Sequence, residues 1–139
     1  MQNKKSIYIN LPVSNLEVSE KFYTALGFTK NPMFSDENAI SMMWSEEIVV
    51  MLLKHDFYKN FIGDKKIIDA KTTSGVLNSL SMNSKEEVQK FADIAKENGG
   101  EYFMSEFNKN LDFMFTYEVS DPDGNVWEPV FMDMSKFPQ

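Results

Sequence analysis

The sequence predicts an α+β domain made of two tandem βαβββ modules. Three observations carry this: apolar residues alternate along short segments, two amphipathic stretches begin at polar caps, and the order strand, helix, three strands occurs twice. One domain, 1–139, is expected, with module one at about 5–54, a connecting loop at about 55–73 and module two at about 74–134. A chain of 139 residues is long enough to bury roughly 70% of its unfolded surface.

Segment 6–13 alternates, with Ile7, Ile9, Leu11 and Val13 on one side and Tyr8, Asn10 and Pro12 on the other, the period of a half-buried strand. Ser14 or Asn15 can cap the helix that follows, with Glu17 and Glu20 near its positive end. Leu16, Ser19, Phe22, Tyr23 and Leu26 recur at helical spacing, and Gly27 stops them. Strands are expected at 28–33, 39–44 and 48–53, separated by the polar turns Ser35-Asp36-Glu37-Asn38 and Ser45-Glu46-Glu47. Segment 55–73 is polar but holds Phe57, Tyr58 and Phe61 at helical spacing. It reads as a loop carrying a short helix, and a connection this long is usually functional or a linker.

The order then restarts. Segment 76–82 is a strand, and Ser84-Lys85-Glu86-Glu87 opens a helix with capping-box character. Val88, Phe91, Ala92 and Ala95 form the helix's apolar stripe, and Asn98-Gly99-Gly100 ends it. Strands follow at 102–106, 113–119 and 125–132, the last introduced by the turn Asp121-Pro122-Asp123-Gly124. Residues 7–22 lie over 76–91 without a gap, so that Leu11 meets Leu80, Lys21 meets Lys90 and Phe22 meets Phe91.

Composition narrows the function. The net charge of -7 repels phosphate backbones, which argues against nucleic acid as a partner. No apolar run approaches the roughly 20 residues of a membrane helix, and the first ten residues lack a signal-peptide core, so a cytoplasmic protein without a membrane partner is expected. Cysteine is absent, which removes disulfides, thiolate metal sites and cysteine nucleophiles and fits a reducing compartment. Arginine is absent too: all 14 basic residues are lysines. An acidic ligand must then be gripped without a guanidinium fork, by lysine, backbone amides or neutral donors.

The opening strand followed by SNLEVSEKFYTALGF, and the closing DPDGNVWEPVFMD, resemble the glyoxalase/bleomycin-resistance/dioxygenase (vicinal-oxygen-chelate) superfamily. NLPVSNLEVSEKFY, FSDENAISMMWSEEIVVMLL and WEPVFMD are similar to its bacterial branch labelled "predicted lactoylglutathione lyase". The resemblance implies a cup-shaped, curved mixed sheet with helices on the outer face, and a homodimer. It puts Ile7, Ile9, Leu11 and Val13 against a helix, and Tyr8, Asn10, Leu77, Ser79 and Ser81 in the cup.

It also implies metal ligands on the first strand of each half and on the last strand, here Tyr8, Leu77 and Glu128. Only Glu128 matches, and a divalent ion in an enzyme needs about three protein ligands. No cofactor is therefore expected, with a divalent metal as the lesser alternative. The single histidine, His55, falls outside these positions. Glu128, flanked by Val126, Trp127, Pro129 and Val130, has two readings: a proton shuttle, or a structural carboxylate bonded to Tyr8 or a backbone amide. The expected ligand-binding residues are Tyr8, Asn10, Leu77, Ser79, Trp44 and Phe115. Trp127, Phe113 and Tyr117 are further pocket candidates, although core packing accounts for most strand aromatics. Ten methionines would give any pocket adaptable walls. The expected function is capture of a small hydrophobic or aromatic molecule without an intact metal triad. The alternative is a metal-dependent lyase or isomerase of the lactoylglutathione lyase type, with Glu128 as ligand or base.

Overall fold

The computed structural model describes residues 4–137. Its chain forms two compact units, residues 1–69 and 70–139.

In the first unit, β1 (Ile7–Val13) leads into α1 (Leu16–Ala25), then β2 (Thr29–Asn31), β3 (Ala39–Met43) and β4 (Ile48–Lys54). The strand order is β1-β4-β3-β2, with β1 and β4 parallel and the other pairs antiparallel. Asn15 caps α1 by accepting a hydrogen bond from the Val18 amide at 3.0 Å. Phe22 and Tyr23 of α1 are fully buried, with Leu11, Val13, Ile40, Met42, Val50 and Leu52 of the sheet in the same core. Each such side chain contributes about 1.5–3 kcal/mol by leaving water. The alternation expected for the first strand holds at Leu11 and Val13 but fails at its start, where Ile7 is 53% exposed.

The second unit repeats the plan. β5 (Leu77–Ser81), α3 (Lys85–Glu97), β6 (Glu101–Phe103), β7 (Met114–Thr116), β8 (Glu118–Ser120) and β9 (Val126–Met132) form a mixed sheet. Its order is β5-β9-β8-β6, with β7 also on β9 and β5 parallel to β9. Ser84 accepts from the Glu87 amide at 3.1 Å, and Glu87 reaches back to the Asn83 amide at 2.8 Å, one residue beyond the N-cap amide of the reciprocal box.

Three expected strands are shorter than the sequence suggests. The strand expected at 28–33 ends at Asn31, because Pro32 opens a 3-10 turn (Pro32–Phe34) capped by the Asn31 side chain. The strand expected at 102–106 stops at Phe103, since Ser105 caps a short helix, α4 (Glu106–Lys109). The strand expected at 113–119 divides into β7 and β8. Thr116 faces Val130 and Val119 faces Trp127, so one continuous register puts Tyr117 opposite Pro129. Proline has no amide hydrogen to donate, and the ladder lapses there. The same register puts Glu118 opposite Glu128. Within 55–73 the expected short helix is α2 (His55–Tyr58), continued by a 3-10 turn (Lys59–Phe61).

No helix among the described residues is long and apolar enough to cross a membrane.

Candidate functional site

Each sheet has a helix-covered face and an opposite, open face. In the first sheet the pairs Tyr8–Val49, Asn10–Met51 and Pro12–Leu53 fall on the open face, together with Ala39 and Ser41. A cavity of about 770 Å³ lies over part of this face. Asn10, Ala39, Met51 and Leu53 are its sheet residues. Met33, Phe34, Ser35 and Asp36 form one wall, and Phe57, Tyr58, Phe61 and Ile62 form another.

Both walls are held locally. Asn31 accepts from the Met33 amide at 3.1 Å. Ser35 Oγ donates to the Asn31 carbonyl at 2.8 Å and accepts from the Ser41 amide at 3.0 Å. Asp36 Oδ1 accepts from the amides of Asn38 at 2.8 Å and Ala39 at 3.1 Å, and the Asp36 amide donates to the Ala39 carbonyl at 2.8 Å. On the other wall Phe57 and Phe61, one helical turn apart, pack edge to face with centroids 5.3 Å apart. Met33, Phe34 and Phe61 remain 83%, 63% and 67% exposed around the opening.

The open face of the second sheet carries a different group. Ser79, Glu128 and Glu118 lie side by side on β5, β9 and β8. Ser79 Oγ donates to Glu128 Oε1 at 2.6 Å, and Asn108 Nδ2 donates to Glu118 Oε2 at 3.4 Å. The Glu118 carboxyl is pushed up to about 7, first by burial and then by its hydrogen bond to, and repulsion from, Glu128, with Asn108 pulling the other way. Glu118 is therefore poised to take up or release a proton near neutral pH, beside Glu128.

Within each unit the candidate residues divide between the open and the helix-covered face. Asn10 lines the first unit's cavity. Tyr8 and Leu77 are 61% and 54% exposed on the open faces of their sheets, and Tyr8 is not among the residues lining the cavity. Ser79 is bound to Glu128, which also meets Glu118 on the neighbouring strand. Trp44 and Phe115 lie on the helix-covered faces, a correction to the pocket expected from them. Trp44 packs on Phe28 at 5.0 Å between centroids, and Phe115 packs on Tyr117 at 5.5 Å beneath Lys85 of α3. Tyr117 donates to Gln89 of α3, and Trp127 is 1% exposed in the core. The aromatics around the cavity come instead from turns and the 55–73 segment.

No family model matches this chain, and no curated protein matches its sequence. Solved structures match it over most of its length. A hypothetical protein from S. aureus is 24% identical, with a TM-score of 0.72 over 94% of each chain. A glyoxalase-related enzyme from Fulvimarina pelagi is 20% identical, with a TM-score of 0.72 over 94% of this chain and 88% of that one. A glyoxalase/bleomycin resistance protein/dioxygenase family enzyme from Burkholderia phytofirmans PsJN is 16% identical, with a TM-score of 0.70 over 90% of this chain and 96% of that one. This chain has the glyoxalase/bleomycin-resistance/dioxygenase fold.

The metal positions that the glyoxalase resemblance marks do not fit a metal here. Leu77 has no donor atom, and Glu128 Oε1 already accepts from Ser79. Among the described residues no three His, Cys, Asp or Glu side chains form a group that could hold a metal ion.

Proposed function

We propose that this glyoxalase-fold chain binds a small, largely apolar or aromatic molecule in the cavity of its first unit. The observation that carries the reading is the cavity itself: about 770 Å³, walled by Met33, Phe34, Met51, Leu53, Phe57 and Phe61, with a few polar groups among them. Small-molecule sites typically measure about 300–1,000 Å³ and combine apolar walls with a few orienting polar groups. The side chain–backbone hydrogen bonds of 31–39 pre-form one wall, which lowers the ordering cost of binding.

Filling the cavity tests this. Met51→Trp puts an indole in the space a ligand would take. A planar hydrophobic probe such as a naphthalene derivative should raise the melting temperature of the wild type, and its affinity should fall about tenfold in the variant. The melting temperature of the unliganded variant serves as the check on folding. Equal probe affinities for a folded variant and the wild type would sink the proposal.

The Glu118–Glu128 pair favours a second reading, a lyase or isomerase that moves a proton on a bound substrate. A carboxyl poised near neutrality beside a carboxylate can give and take back a proton. Turnover of a methylglyoxal hemithioacetal, assayed with and without added nickel or zinc, should depend on Glu128. Turnover that survives in Glu128→Gln counts against the reading.

A further inference from the structure

We infer that the first unit's cavity selects protonated amines: its ligand is an apolar or aromatic body bearing one ammonium group that meets Asp36. The inference rests on the binding function proposed above and adds the charge of the ligand. The polar side chains lining the cavity are the Asn10 amide, the Ser35 and Tyr58 hydroxyls and the Asp36 carboxylate, with no lysine among them. The Ser35 hydroxyl is spent, since it donates to Asn31 and accepts from Ser41. Asp36 is different. Its Oδ1 is fixed by two backbone amides, while its Oδ2 has no hydrogen-bond or ion-pair partner among the described residues.

A carboxylate held in place by its own turn, with one oxygen uncommitted, is a pre-oriented acceptor for an ammonium hydrogen-bond donor. The surroundings agree in sign. Phe34, Phe57, Tyr58 and Phe61 present aromatic rings, whose faces attract cations and are indifferent or repulsive to anions. The net charge of -7 adds a long-range field that draws cations and repels carboxylates. The absence of arginine removes the group best suited to hold an anionic ligand. Asp36 is exposed, so its contact with a ligand's ammonium is partly screened and its share of the selectivity is about fivefold.

The test uses three probes on one scaffold: naphthylmethylamine, naphthylmethanol and naphthoate, titrated against the full chain at pH 7 and low salt. The expected order of affinity is amine, then alcohol, then carboxylate, with about fivefold between the first two. Asp36→Asn keeps an oxygen for the Asn38 and Ala39 amides and should bring amine and alcohol together. Equal binding of all three to the wild type would overturn the charge selection and leave the cavity's binding role standing. An amine preference that persists undiminished in Asp36→Asn would also overturn it, because the whole-chain field would then be the cause. If none of the three binds, the binding function itself fails, and the charge selection with it.

Discussion

Replacing Gly124 by alanine should lower the unfolding free energy by about 3 kcal/mol or more, read as a fall in the urea midpoint. Gly124 has φ +94°, which L side chains rarely adopt. A Cβ there would also lie 2.7 Å from the Ala70 carbonyl carbon, 2.7 Å from the Lys71 nitrogen and 2.9 Å from the Ala70 oxygen. All three are backbone atoms, so no side chain can swing aside to make room. Gly63 offers the control. It too has a positive φ, +62°, but a Cβ there meets nothing within 4 Å. Gly63→Ala should therefore cost only the conformational part, about 1 kcal/mol. Equal losses at the two positions would show that the close approach of the chain at Ala70 contributes nothing.

The same turn explains why DPDGN stands out in the sequence. Asp121 is 3% exposed, and its carboxylate accepts from the Asp123 and Asn125 amides at 2.9 Å each and from Asn125 Nδ2 at 3.0 Å. The Gly124 amide donates to the Asp121 carbonyl at 2.9 Å. A buried carboxylate is tolerated because these donors satisfy it. The motif that carries the family resemblance thus does structural work: it starts β9 in the register that sets Glu128 between Ser79 and Glu118.

What could be read from the sequence was what repeats along the chain. Alternation, caps and glycine stops located α1, α3 and the long strands, because each leaves a periodic or positional mark. The strand ends were less legible. Pro32 ends a strand in its own sequence, whereas Pro129 interrupts a ladder written in the partner segment, which shows only once the register is known. The cavity was hidden for a related reason. Its walls are turns held by side chain–backbone bonds from Asn31, Ser35 and Asp36, and such bonds have no period. Trp44 and Phe115 were natural pocket candidates by chemistry, but strand alternation turns them toward the helices. Glu118 could have been found by the same alternation, as the neighbour of Thr116 and Ser120 on one face. Its importance lies in the residue across from it.

That cross-strand position makes Glu118→Gln stabilising at alkaline pH. In the folded chain Glu118 is raised from an ordinary 4.5 to about 7, so over this interval the folded state holds a proton that the unfolded chain has released. The linkage sign follows: the contribution is fully present below about 4.5, declines as pH rises, and is lost above about 7, where two carboxylates face each other. At full strength a shift of this size corresponds to about 3 kcal/mol. Glu118 is only half-buried, and solvent screening reduces this to about 2 kcal/mol. Glutamine keeps a donor for Glu128 at every pH and carries no charge. The variant should therefore match the wild type near pH 4.5 and exceed it by about 2 kcal/mol at pH 8.5, in denaturant melts at matched ionic strength. Taking the difference between the two proteins cancels the titrating groups that do not touch Glu118, so what is left reports the Glu118–Glu128 pair as a unit. If that difference does not change with pH, the proton is not held on Glu118, and the proton-transfer reading of the pair loses its support. If it opens between pH 5 and 7, the open face of the second sheet carries a carboxyl poised to exchange a proton at neutrality.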